Sequence, residues 1–172
     1  MDYRVEHLEE LETILDRLNI NKSDIVLSGS EILAQLGIRK NNDLDIITRP
    51  EILKRNKDIF PNSYRWRINL SKNIELYRNH LFFIGISDND IFTRHWYEKY
   101  NGYNMIPLEI AYLMKKKLKR DKDRLDIEMI ESYDHNIRIK SKVYKQPPAK
   151  IILSNLRFSF ENMRRGRMGY KI

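Results

Sequence analysis

Residues 25–47, IVLSGSEILAQLGIRKNNDLDII, carry the pattern that decides the fold of this 172-residue chain. Ile25–Leu27 is a short apolar run bounded by turn residues, as expected for a buried strand. Gly29 permits a tight turn, and Ser30 is a favourable N-cap for a following helix. Gly37 stands where a left-handed helix stop is needed. The segment therefore predicts a strand, a turn, a short helix and a second strand.

The predicted second strand carries two aspartates. Asp43 and Asp45 share one face of a strand, about 7 Å apart, while Leu44 and Ile46 turn toward a core. Carboxylates on a rigid strand can hold a divalent metal ion, and N–H groups at a helix start can bind anionic oxygen. The pattern thus suits a metal–triphosphate complex. The alternative is that both acids lie in a solvated hairpin edge.

Composition favours one domain, or one domain with a helical extension. No apolar run is long enough for a membrane span, and the N-terminus has no apolar signal region, so a cytoplasmic location is the default expectation. The absence of cysteine excludes disulfides and thiolate metal sites. A net charge of +8 favours nucleotides, nucleic acid or an acidic protein as partners, although solubility alone also explains it.

The remaining pattern predicts the α+β class: a mixed sheet with helices packed on it, followed by C-terminal helices. We divide the chain into a core, 1–106, and a helical part with a basic tail, 107–172. Predicted helices cover 4–18, 51–57, 89–100, 107–120, 121–133 and 149–163; further predicted strands cover 64–70, 74–78, 80–86 and 103–106; a linker covers 140–150.

Gly29-Ser30, the twelve residues that follow, and the aspartate pair Asp43 and Asp45 resemble the signature of the DNA polymerase β-like nucleotidyltransferase superfamily. The chain is most similar to its small stand-alone members, such as antibiotic and toxin–antitoxin nucleotidyltransferases. The resemblance implies transfer of a nucleoside monophosphate from an NTP, ATP above all, to a hydroxyl of a small molecule, a protein or RNA. It also implies two Mg²⁺ ions, for which Mn²⁺ could substitute, as the cofactor.

The superfamily places a third carboxylate on a neighbouring strand, and Glu75 matches that position. Asp43, Asp45 and Glu75 are then the expected metal ligands and catalytic residues. An acid within a strand needs a partner, and the alternative for Glu75 is a cross-strand pair with Arg65 or Arg67. Two competing acids, Asp88 and Asp90, follow Ser87 in a pattern more typical of a turn and helix cap.

A downstream helical segment also resembles these enzymes, through Leu108-Glu109, a lysine at 115 or 117, and the run from Arg120 to Asp126. Asp123 and Asp126 fall on one helix face and could clamp a basic side chain near phosphate. A solvated charged hairpin is the plainer alternative. The nucleotide-binding residues that the resemblance implies are Gly29, Ser30, Arg39, Lys115, Lys117 and Lys122.

Other interpretations stay open. The same fold could serve as a non-catalytic nucleotide- or nucleic-acid-binding module, or as an antitoxin-like protein that covers an acidic partner. The basic tail, 164–171, could touch a nucleic-acid backbone. His95 could be a general base, but a packing or surface role is commoner for a histidine between Arg94 and Trp96.

Overall fold

A computed structural model describes residues 5–55 and 67–164 of the chain. Its sheet has six strands in the order β3-β4-β2-β1-β6-β5. The strands are β1 (Ile25–Leu27), β2 (Leu44–Thr48), β3 (Arg67–Asn69), β4 (Ile74–Tyr77), β5 (Glu98–Tyr100) and β6 (Tyr103–Met105). The helices are α1 (Leu8–Leu18), α2 (Glu31–Gln35), α3 (Pro50–Arg55), α4 (Asp88–Thr93), α5 (Leu108–Leu118), α6 (Asp121–Tyr133), α7 (Ile137–Lys140) and α8 (Pro148–Arg164).

The sheet is mixed, which confirms the predicted fold class. β2 runs parallel to β4, and β1 runs parallel to β6. The pairs β1–β2, β3–β4 and β5–β6 are antiparallel. Parallel neighbours cannot be joined by a tight turn. The chain therefore passes through other helices and strands between β2 and β4, and between β1 and β6.

Alternation along the strands divides the core between the two faces of the sheet. Leu44 and Ile46 of β2 belong to the face that α1 covers, together with four buried apolar side chains of that helix, Leu11, Ile14, Leu15 and Leu18. Ile47 belongs to the opposite face, which packs against apolar side chains of α2, α4 and α5. The side chain of Asp45 projects toward this second face because strand residues two apart share a face.

The run 80–86 was predicted as a strand, and this prediction is wrong. It forms a turn with a 3₁₀ helix at Phe82–Ile84, and Gly85 has a φ of 77°. Leu81, Ile84 and Ile86 are buried against the α5 face, so the apolar run does enter the core. A continuous apolar run indicates that a segment is buried, but it does not by itself distinguish a strand from a buried turn.

The helix predicted over 89–100 ends at Thr93, and the last three residues of that range form strand β5. Asn101 and Gly102, with φ values of 50° and 82°, turn the chain from β5 into β6. Positive φ at both central residues is the requirement of a tight hairpin turn, and Asn-Gly is its strongest signal. The strand predicted over 103–106 is confirmed as β6 in this hairpin.

Most of the other element predictions hold with shifted ends. The amphipathic helix over 4–18 is α1, and the strand over 64–70 is β3 as far as the described residues reach. The prediction of a linker over 140–150 is wrong for most of its length, because the segment holds the end of α7, a 3₁₀ helix at Ser141–Tyr144 and the start of α8. The end of the helix predicted over 51–57, the start of the strand predicted over 64–70, Arg65 and the tail beyond Arg164 lie outside the described residues. Among the helices described, none has the length and apolar character needed to cross a bilayer.

Candidate functional site

The sheet places the three predicted acids next to one another. Asp45 and Glu75 are register partners on the parallel strands β2 and β4. Asp43 precedes Asp45 by two residues, so both lie on the same face. Burial raises the pKa of Asp45, and the negative charges of Asp43 and Glu75 raise it further. We call these three residues the acidic face.

Glu75 already has protein partners. Its Oε1 lies 3.4 Å from Nη1 of Arg67, and the Tyr77 hydroxyl donates to its Oε2. The cross-strand pair considered for Glu75 is therefore present, with Arg67 as the partner. Within residues 5–55 and 67–164, no group of three or more His, Cys, Asp or Glu side chains is arranged to hold a metal ion.

A buried glutamate that the sequence analysis missed lies beneath the acidic face. Glu31 Oε2 accepts the Gly29 N–H at 2.6 Å, and its Oε1 accepts the Asp45 N–H at 2.5 Å. Glu31 thereby ties the β1–α2 turn to strand β2. Burial, followed by the negative charge of Asp45, raises the pKa of Glu31. Glu31 opens α2, in which residues 31–34 are all buried. An acid in the first turn of a helix is common, so the local pattern offers no signal for this role.

Gly29 is required for close approach rather than for an unusual backbone conformation. A Cβ at this position would lie 2.6 Å from Oδ2 of Asp45 and 2.9 Å from Oε2 of Glu31. Because the Gly29 N–H donates to Glu31, it is not available to phosphate in this structure. Gly37 has a φ of 70° just after α2, which confirms the predicted left-handed stop.

Ser30 occupies the N-cap position of α2, as predicted, but it does not cap the helix with its side chain. It precedes the helix with φ −90° and ψ 4°, and its side chain makes no capping hydrogen bond. An N-cap side chain reaches the first turn from an extended backbone, and Ser30 has already left that region. Its carbonyl accepts the Leu33 N–H at 3.0 Å, as a first-turn residue does.

Five charged residues from α5, from α6 with the residue before it, and from the loop between α2 and β2 form a chain of ion pairs. We call this chain the α5–α6 charge network. Lys115 Nζ lies 2.6 Å from Asp126 Oδ2 and 4.0 Å from Asp123 Oδ1. Arg39 makes two hydrogen bonds to Asp126, at 2.5 and 2.9 Å. Arg120 makes two to Asp123, at 2.7 and 3.0 Å. The clamp expected from Asp123 and Asp126 is present, and it holds Lys115 in the interior.

Basic side chains of this region act electrostatically on the acids of the sheet. The positive charges of Lys122 and Arg120 lower the pKa of Asp45, opposing the effects of burial and of its acidic neighbours. Conversely, negative charges raise the pKa of Arg39. Asp126 has the largest effect, and Asp43 and Glu31 add smaller ones. The site thus combines carboxylates on the sheet with cations from the segments beside it. Arg120 is a member that the sequence analysis did not select.

The predicted lysines separate in the structure. Lys115 is buried in its ion pairs, whereas Lys122 is exposed and acts on Asp45. Lys117 is also exposed, and it lies roughly 200° around α5 from Lys115, since each helical residue turns about 100°. The structure therefore brings Arg39, Lys115 and Lys122 to the site and places Lys117 on another side of α5.

His80 is a second residue that the sequence analysis missed. Its Nδ1 lies 2.9 Å from Ser28 Oγ, and its ring stacks on Tyr77 with centroids 4.0 Å apart. Burial, with the positive charges of Arg120 and Lys115, lowers the pKa of His80 to about 3, so the ring is neutral at physiological pH. A histidine at the start of the predicted strand 80–86 gives no sequence signal for this position.

Two weaker candidates, His95 and the Ser87–Asp90 segment, have structural roles. His95 is exposed, and its Nδ1 lies 3.0 Å from the Tyr97 hydroxyl. Ser87 and Asp90 form a capping box at the start of α4, which confirms the predicted helix cap. Neither position adds a group to the site.

Comparison of the chain with known protein families, with curated proteins and with solved structures found no match. The geometry of the site is therefore the basis for the function proposed below.

Proposed function

We propose that this protein is a metal-dependent nucleotidyltransferase that moves a nucleoside monophosphate from an NTP to an acceptor hydroxyl. One observation carries the proposal. Asp45 and Glu75 of the acidic face are in register on adjacent strands, and the positive charges of Lys122 and Arg120 act on Asp45 and lower its pKa. Carboxylates that bind metal and cations that bind phosphate are the two groups that nucleotidyl transfer requires.

The chemistry of the acidic face fits divalent metal. Asp43, Asp45 and Glu75 supply only oxygen donors, which Mg²⁺ and Mn²⁺ prefer. The negative charges of Asp43 and Glu75 disfavour ionisation of Asp45, and a bound cation would offset this repulsion. Glu75 has to release Arg67 and Tyr77 to serve as a ligand. When bound, two Mg²⁺ ions would neutralise the triphosphate and lower the pKa of the acceptor hydroxyl.

The other residues of the site have distinct roles in this proposal. Arg120 and Lys122 bind the triphosphate and neutralise pyrophosphate as it leaves. Glu75 takes up the proton of the acceptor hydroxyl. Arg39 and Lys115 act indirectly, because their pairs with Asp126 fix α6 and so position Arg120 and Lys122 across from the sheet.

The basic composition agrees with several acceptors. A net charge of +8 favours an RNA 3′ end or a protein bound to RNA, whereas the small size of the chain favours a small molecule or a protein hydroxyl. Incubation with each α-labelled NTP, Mg²⁺ or Mn²⁺ and cell extract identifies the class, since label then appears on RNA, protein or a small molecule.

Replacement of Asp45 tests the activity. Asp45→Asn keeps the shape of the side chain but removes its charge, and we expect loss of label transfer by at least about a hundredfold, equivalent to several kcal/mol of transition-state stabilisation. Asp16→Asn, an exposed change on α1, is the matched control and should leave transfer unchanged. Transfer that persists in folded Asp45→Asn would contradict the proposal.

Two contacts favour a second candidate, a nucleotide-binding module without turnover. Glu75 is engaged by Arg67 and Tyr77, and the Gly29 N–H is engaged by Glu31. In such a module these contacts persist when nucleotide binds. Mg²⁺-dependent NTP binding with no transfer to any fraction of the extract would support this candidate over the enzyme.

A further inference from the structure

A protein cation already lies against one acid of the acidic face. Arg67 on β3 is the register partner of Tyr77 on β4, and Asn69 is the register partner of Glu75. Side chains of cross-strand partners project from the same face of a sheet. Arg67 is therefore diagonal to Glu75 on the face that also carries Asp45, and its Nη1 lies 3.4 Å from Glu75 Oε1.

The two partners of Glu75 differ in charge and in exposure. Tyr77 is neutral, 8% exposed and stacked on His80, and its hydroxyl donates to Glu75 Oε2. Arg67 is charged, its side chain is 45% exposed, and it also donates a hydrogen bond to the Tyr77 hydroxyl. Solvent screens a half-exposed ion pair and competes for its partners, so the Arg67–Glu75 pair can open at little cost.

A divalent cation and the Arg67 guanidinium compete for the same oxygen. The negative charges of Asp43, Asp45 and Glu75 attract both. Mg²⁺ or Mn²⁺ carries twice the charge of a guanidinium on a smaller ion, so contact with three carboxylates favours the metal. Arg67 must leave Glu75 Oε1 before this oxygen can serve as a metal ligand.

We propose that Arg67 exchanges partners when metal and nucleotide bind. In the free protein it is the counter-ion of Glu75, and in the loaded protein it binds the phosphates of the NTP. A guanidinium suits both partners, because its planar fork of N–H groups matches carboxylate and phosphate oxygens alike. The inference rests on the proposed function and adds Arg67, which the sequence analysis considered only as a cross-strand partner, to the nucleotide-binding residues.

The exchange predicts opposite effects of one substitution on metal and on nucleotide. Arg67→Ala removes the competitor at Glu75, so Mn²⁺ alone should bind about two- to fivefold more tightly, as for loss of a weak exposed ion pair. The same variant lacks the phosphate contact, so α,β-methylene-ATP should bind at least about fivefold more weakly in the presence of Mn²⁺. A purely structural Arg67 would shift both affinities in one direction or neither.

Two measurements on the full chain follow the exchange without relying on turnover. Electron paramagnetic resonance of free Mn²⁺ gives the metal affinity, and calorimetry at saturating Mn²⁺ gives the affinity for the analogue, whose α–β bond cannot be cleaved by transfer. Arg67→Lys keeps the charge but loses the planar fork. Its Mn²⁺ affinity should stay within twofold of the native value, and its affinity for the analogue should lie between those of the native protein and Arg67→Ala.

The matched control is Arg49→Ala. Arg49 pairs with Asp24 at 3.2 Å, and these side chains are 40% and 21% exposed, close to the 45% and 21% of the Arg67–Glu75 pair. Arg49 follows Asp45 by four residues, so it lies roughly 13 Å further along the strand direction. Both affinities should change less than twofold in this variant. Changes equal to those of Arg67→Ala would show only an effect of net charge and would overturn the proposal.

Asp45→Asn distinguishes failure of this inference from failure of the proposed function. If Asp45→Asn abolishes Mn²⁺ binding but Arg67→Ala does not tighten it, the exchange is overturned and the proposed metal site stands. Undiminished analogue binding in Arg67→Ala would overturn Arg67 as a phosphate ligand, as expected if its contact with Glu75 persists in a module without turnover. Equal Mn²⁺ binding by the native protein and Asp45→Asn would contradict the proposed function and overturn this inference with it.

Discussion

Two groups of buried or half-buried carboxylates in this protein have opposite surroundings. In the α5–α6 charge network, burial would raise the pKa of Asp126, but hydrogen bonds from Arg39 and Lys115 outweigh burial and the pKa is lowered. On the acidic face, burial and two neighbouring acids raise the pKa of Asp45, and the positive charges of Lys122 and Arg120 only partly oppose them.

This difference separates structural support from a candidate site. A buried carboxylate held by cations contributes to folding, because removing it leaves those cations without a partner. Carboxylates packed together oppose folding, and groups that destabilise the protein in this way concentrate where a ligand or metal binds. Three substitutions test the comparison through the free energy of unfolding.

The largest effect is expected in the network. Asp126→Asn removes the counter-charge of buried Lys115 and of Arg39, and we expect a loss of about 3–5 kcal/mol in unfolding free energy, measured by urea denaturation at pH 7. Lys40→Ala breaks the exposed pair between Lys40 and Glu6 and should cost less than about 1 kcal/mol. A cost for Asp126→Asn no greater than that of the control would mean that the network does not support the fold.

A smaller loss is expected at the turn beside the acidic face. Gly29→Ala places a Cβ within 3.0 Å of Asp45 and Glu31 and should destabilise the protein by about 1–3 kcal/mol through overpacking. The neighbouring change Ser30→Ala should stay within about 0.5 kcal/mol, because Ser30 makes no capping hydrogen bond. Thermal or urea unfolding measures both, and similar costs for the two changes would refute the close packing of this turn.

The smallest effect should have the opposite sign. The pKa of Asp45 in the folded protein lies above its ordinary value of 3.8, so the folded state binds more protons than the unfolded chain, and stability falls as pH rises through this interval. Asp45→Asn removes this penalty. Without metal, we expect the variant to be more stable than the native protein by roughly 1–2 kcal/mol at pH 8, and by less at pH 5.

Magnesium provides the control for this last variant. Mg²⁺ should stabilise the native protein at pH 8 and leave Asp45→Asn unchanged, because a ligand that binds only the folded state raises its stability. Destabilisation of metal-free Asp45→Asn at pH 8 would place Asp45 with Asp126 as a structural carboxylate and remove the contrast between the two regions.

Much of the central architecture could be predicted from local pattern. The apolar run at Ile25, the stop at Gly37 and the alternation after Asp43 indicated strand, helix and strand, since each element is encoded by neighbours a few residues apart. Glu75 was selected as an acid within a second alternating run, and its register with Asp45 agrees with that selection. The strand predicted over 80–86 was wrong because an apolar composition indicates burial and does not specify the backbone conformation.

The residues that were missed owe their roles to contacts across the chain. Glu31 matters because it accepts the N–H of Asp45, fourteen residues away, and His80 because it meets Ser28, fifty-two residues away. Arg120 matters because its charge, at the start of α6, lowers the pKa of Asp45 on β2. No local pattern encodes such pairs.

Periodicity and turn residues in the chain thus suffice for the fold class and for the acidic strand, because backbone geometry imposes those patterns locally. Folding in three dimensions selects which charges are buried and paired. A carboxylate acquires its raised or lowered pKa from neighbours supplied by other segments, and this is why Asp45 and Asp126, the same residue type, have opposite shifts.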